Sequence, residues 1–107
     1  MPAVGSILDS TEVEVGDYRY RGHVVVDKMG RNILLYSSVP VSRSAHRNEI
    51  QLLCPSHMCG DVRKKIDTAL VPKWSATLPD RSADAKELGI IALGVPATRP
   101  STFLPAK

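Results

Sequence analysis

The sequence predicts an α+β fold: a small antiparallel sheet, a meander of three to four strands, with one or two helices packed on it and an extended Pro-rich C-terminal arm. Three observations predict it. Apolar and polar residues alternate strictly on both sides of Gly16-Asp17, a helix-period apolar stripe runs from Met58 to Leu70, and Pro96, Pro100 and Pro105 punctuate a last stretch without periodicity. With 107 residues there is room for one domain, assigned to 1–94, followed by an arm at 95–107. Aromatic residues make up only 5% of the chain, so its core must be mostly aliphatic.

The first element is a hairpin. In Thr11-Glu-Val-Glu-Val-Gly-Asp-Tyr-Arg-Tyr-Arg21, Gly first in a two-residue loop suits a type II′ turn. That turn sets Val15 opposite Tyr18, Glu14 opposite Arg19, Val13 opposite Tyr20 and Glu12 opposite Arg21. One face is then apolar and the other carries two ion pairs, each cross-strand pair contributing roughly 0.2 to 1 kcal/mol. The second strand continues through Gly22-His-Val-Val-Val26, with His23 and Val25 on the arginine face. After a turn at Asp27 to Arg31, Asn32 to Tyr36 returns as a third strand. Residues 38–57 read as a loop followed by a fourth strand around Ile50 to Cys54.

From Met58 the period changes to that of a helix. Met58, Val62, Ile66, Ala69 and Leu70 share a stripe, Ser56 or Gly60 serves as cap, and Pro72 is expected to stop the helix. A second helix is expected from Ser82, with Asp84 in its first turn and Gly94 after its end, although Gly89 costs it about 1 kcal/mol. The final stretch has the composition of an extended segment.

Net charge is +3, distributed as −3 over residues 1–16 and mildly positive beyond. That balance neither requires nor excludes a nucleic-acid partner. Cys54 and Cys59 lie too close together to frame a secreted disulfide scaffold, so reduced thiols are expected. The N-terminus resembles no secretory signal, and no apolar run reaches the roughly 20 residues of a membrane span. The expectation is a soluble protein of the cytoplasm, or of a particle assembled there, with no membrane association.

Three groups of residues are candidates for function. His46, Cys54, His57 and Cys59 gather four residues of metal-ligand type into fourteen, but Cys-x2-His-x1-Cys is not a usual zinc spacing, so no resident cofactor is assigned and zinc is kept as the alternative. Arg19, Arg21, Lys28, Arg31, Arg63 and Lys64 are the cations available to a phosphate backbone if they share one patch. Phe103 and Leu104 are the only large apolar side chains near the end of the arm, and with Trp74 they are the candidate anchors for a protein partner. No phosphate loop and no GxGxxG occurs, which removes nucleotide chemistry of that kind.

Within the first group, Asn48-Glu-Ile-Gln-Leu-Leu-Cys-Pro-Ser-His57 resembles the later half of the HNH nuclease motif, where an Asn leads into a strand, a Cys and a metal-binding His. The resemblance spans ten residues and implies metal-assisted hydrolysis. It departs from the motif in two places: no Asp-His pair precedes Asn48, and the second Cys falls after the His, at Cys59. Without that general base no hydrolytic step can be written. The leading expectation is therefore a non-enzymatic protein that assembles with itself or with a protein partner through the arm, with a nucleic-acid-binding module as the alternative.

Overall fold

The computed structural model describes residues 3–41, 50–55, 58–77 and 82–94, with the side chains of 82–85 left aside. Four strands form one antiparallel sheet in the order β1-β2-β3-β4: β1 Ile7–Val15, β2 Tyr18–Val26, β3 Asn32–Pro40 and β4 Gln51–Leu53. Two helices follow, α1 Gly60–Trp74 and α2 Ser82–Leu93. The fold is α+β, a meander with both helices packed on it. Residues 95–107 lie outside the described residues.

The hairpin register is the expected one, from Val15 opposite Tyr18 to Glu12 opposite Arg21. Gly16 has φ +59° while Asp17 stays on the negative side, as a type II′ turn demands. The strand begins earlier than alternation alone suggests, because a bulge between Ile7 and Asp9 takes up Leu8 as an extra residue. The bulge sets Ile7 opposite Val25 and Asp9 opposite Val24, so the two side chains serve opposite faces of the sheet. β3 also runs four residues past Tyr36, to Pro40.

The helices cover different faces. Val62, Ile66 and Leu70 of α1 pack with Tyr20, Val24, Leu34, Tyr36 and Leu53, whereas Leu88 of α2 packs with Val25, Ile33, Leu35 and Leu52. Since alternate strand residues point to opposite faces, the unbroken apolar runs Val24–Val26 and Ile33–Tyr36 are what a strand covered on both sides requires. β1, with its alternating pattern, is covered less.

Close approach of α1 depends on Gly22 in β2. A Cβ there would fall 2.2 Å from Ile66 Cγ2 and 3.2 Å from Leu70 Cδ1. Three details of the helices differ from expectation. Ala69 is exposed, so the buried stripe is Met58, Val62, Ile66 and Leu70. Pro72 sits inside the last turn of α1 rather than ending it, and the stop comes at Ser75, in the left-handed region at φ 51° with its N–H donating to Val71 O. The N-cap position is Cys59, without a side-chain cap, in place of Gly60; Ser56 lies outside the described residues. α2 ends as expected, Gly94 taking φ +76° and donating its N–H to Ile90 O.

Candidate functional site

The α1 face is mostly apolar and is bordered by two polar clasps. Trp74 donates its indole N–H to Asp9 Oδ2 at 2.8 Å, and Lys73 Nζ lies 3.0 Å from the same oxygen while standing over the indole ring. These hydrogen bonds, that of Trp74 first, hold the Asp9 carboxyl down at about 2. On the other side of α1, Tyr36 donates its hydroxyl to Asp67, which also faces Arg63. Burial, with the Asp67 carboxylate beside it, pushes the Tyr36 phenol far up. Both clasps are committed within the molecule.

The α2 face divides in two. Its upper half is the apolar cluster under Leu88, joined by partly buried Ala92 and Leu93. Its lower half is polar, built around His23 in β2. This imidazole is only 6% exposed, and its two nitrogens are both engaged: Nδ1 shares a hydrogen bond of 3.0 Å with Ser10 Oγ of β1, and Nε2 one of 3.0 Å with Ser37 Oγ of β3. Burial, and secondarily the Arg21 guanidinium, hold the ring neutral with its titration lowered to about 4. No carboxylate touches the ring among the described residues, so nothing there stabilises an imidazolium of the kind a serine nucleophile would leave behind. A neutral ring between two hydroxyls is a hydrogen-bond relay across three strands.

Beside the relay a hollow of about 270 Å³ is lined by Ser10, Thr11, Glu12, Arg21 and His23. The ion pairs around it differ from the two expected from register. Arg19 takes both acids, with its Nε 3.6 Å from Glu12 and its Nη2 3.7 Å from Glu14, and Arg21 has no ion pair among the described residues. The pairing across β1 and β2 is therefore diagonal at Glu12.

The six candidate cations are not brought into one patch. Arg19 and Arg21 lie on the α2 face, Lys28 and Arg31 at the β2–β3 turn, and Arg63 and Lys64 on α1 across the sheet. Four of the six carry an acidic neighbour: Arg19 as above, Lys28 with Glu87 at 2.6 Å, Arg31 with Asp27 at 2.8 Å and Arg63 with Asp67 at 3.6 Å. Of the candidate metal ligands, Cys54 follows β4, Cys59 precedes α1, and neither is in a disulfide. His46 and His57 lie outside the described residues, and among those described no three His, Cys, Asp or Glu side chains converge where they could hold a metal ion. Phe103 and Leu104 also lie outside the described residues, and Trp74, the third anchor candidate, is half-buried against α1's core.

A second feature of the α2 side was not singled out from the sequence. Gly5 lies so close to α2 that a Cβ would fall 2.1 Å from Ile91 Cγ2, and its φ of +84° is one that glycine accepts readily. In the two segments that meet there, Val4, Ile7, Ile90 and Ile91 are 40, 45, 51 and 49% exposed, and the other large exposed apolar residue among those described is Met29. The adjacent isoleucines at 90 and 91 were the available signal, two large aliphatic residues side by side near the end of a helix whose Leu88 is the buried one. Ser10 was also within reach, because extending the hairpin register two residues past Glu12 sets it opposite His23.

No family model, curated protein or solved structure matches this chain. No helix among the described residues is long and apolar enough to cross a membrane.

Proposed function

We propose that this protein is a non-enzymatic assembly module whose copies join through the α2 side of the sheet, residues 95–107 of one copy docking on the Val4, Ile7, Ile90 and Ile91 corner of the next. The observation that supports this reading is the corner itself. Four branched aliphatic side chains, Val4, Ile7, Ile90 and Ile91, stand about half exposed in the two segments that meet where Gly5 approaches Ile91. Exposed apolar groups gathered in this way are a common mark of a protein interface. The occupant is argued from the chain: the arm begins directly after α2, and it holds Phe103 and Leu104 among three prolines. Thirteen residues of such composition span about 40 Å at about 3.1 Å each, enough to pass beyond a domain of this size. Reduced thiols at Cys54 and Cys59 suit a cytoplasmic setting or a particle assembled there.

Sedimentation velocity of the full chain tests the reading. Self-association that is lost in Ile90→Asp and in a chain lacking 95–107, each retaining the native circular dichroism, is the expected result. A monomer at all concentrations, or an oligomer unchanged by both variants, overturns it. The alternative, a nucleic-acid module, predicts binding that weakens steeply with salt. Its support is confined to Arg21 and Lys64, the two candidate cations without an ion pair among the described residues.

A further inference from the structure

The hollow beside His23 joins three features that no packing requirement explains: an arginine without an ion pair among the described residues, a hydroxyl on an exposed residue, and a buried ring hydrogen-bonded to that hydroxyl. Ser37 Oγ is buried and its hydrogen-bond partner is His23 Nε2, while Ser10 Oγ meets His23 Nδ1 and lines the hollow. A neutral imidazole donates from one nitrogen and accepts at the other. If the proton is on Nδ1, Ser37 donates to Nε2, Nδ1–H donates to Ser10 Oγ, and the Ser10 proton is left to point into the hollow. All three hydrogen bonds then run in one direction, toward a negative charge. Arg21 lines the same hollow, and a guanidinium has the planar fork that matches a carboxylate.

We propose that the hollow lined by Ser10, Thr11, Glu12, Arg21 and His23 binds the carboxylate of a small organic acid, with Arg21 as its counter-ion and the Ser37–His23–Ser10 relay as its hydrogen-bond donor. Two observations bear on the class. The volume of about 270 Å³ is ample for a molecule of a few carbons. Glu12, shared with Arg19 at 3.6 Å, forms part of the wall and opposes a second negative charge, which favours a monocarboxylate over a phosphate dianion. Binding would also select the Nδ1–H tautomer, so the ring itself reports occupancy.

The test is a titration of the uniformly 15N-labelled full chain with sodium acetate near neutral pH, at ionic strength held constant with chloride, following the Arg21 and Ser10 amides and the His23 ring nitrogens. The expected result is a saturable shift confined to these groups, with Nδ1 moving toward the protonated-nitrogen position and Nε2 away from it. Arg21→Gln should lower the affinity at least about tenfold, since a hydrogen-bonded charge is removed. Ser10→Ala should weaken it less and abolish the tautomer response, and the dispersed sheet amides show that both variants are folded. Shifts linear in acetate, shifts unchanged in Arg21→Gln, or equal binding of inorganic phosphate each overturn the proposal. None of these readouts depends on self-association, so the result stands apart from that of the assembly reading.

Discussion

The two faces of the sheet are built from alternate residues of the same strands, yet they do different work. Under α1, Tyr20, Val24, Leu34, Tyr36 and Leu53 are buried almost completely, Gly22 admits the helix at close range, and Tyr36, Asp67, Trp74 and Asp9 at the margin are paired with one another across it. Under α2 only half the face is apolar, and the rest presents a hydroxyl, an arginine that has no ion pair among the described residues, and exposed aliphatic side chains. The comparison teaches that one sheet can carry a face closed by its own helix and a face left partly open. A face that is complete in itself has nothing left for a partner, while an incomplete one keeps groups whose cost of exposure is recovered on binding.

The sharpest way to break this comparison is to truncate one core residue on each side. Ile66→Ala, at a fully buried position under the sheet, is expected to lose about 4 kcal/mol, and Leu88→Ala about 2 kcal/mol because the α2 face can relax around the gap. Urea unfolding of both variants measures the two losses. A larger loss for Leu88→Ala would assign the stabilising role to the wrong face.

An effect smaller than that of Ile66→Ala separates the faces by pH. His23 titrates at about 4 in the folded chain and near 6.5 when unfolded, so between these values the unfolded chain binds the extra proton. Stability is unaffected by this group above about pH 6.5, falls as pH drops from there, and levels off below about 4, by about 3 kcal/mol in all. His23→Gln should flatten that slope in thermal melts recorded across this range. Asp9, held down at about 2 by Trp74 and Lys73, contributes its own loss only below about pH 4, where the carboxylate begins to protonate in the unfolded chain. An unchanged slope in His23→Gln would show that the relay is not the acid-sensitive element.

How much of this was legible depends on the range of the interaction. The hairpin register follows from one turn, because Gly16-Asp17 leaves the strands a single pairing. Both helix locations follow from their apolar spacing and from Gly94. Coverage of both faces was written in the unbroken runs Val24–Val26 and Ile33–Tyr36, but an apolar run does not say which segment lies on which side. The relay was harder to see, since Ser37 lies one residue past the expected end of the third strand and reaches His23 on the diagonal. The pairing of Arg19 with both acids is a choice between two long side chains that share a face, and register does not decide it. Pro72 was a misleading stop signal, because a proline in the last turn leaves its helix only one further turn to disturb.

The most direct measurement on the central claim, that the α2 side is the assembling side, is hydrogen exchange of the full chain at two concentrations about a hundredfold apart. The account predicts that the higher concentration slows exchange in the segments around Val4 to Ile7 and Ile90 to Gly94 and leaves α1 and the β2–β3 core unchanged. Slowing confined to α1, or exchange identical at both concentrations throughout the chain, would contradict it.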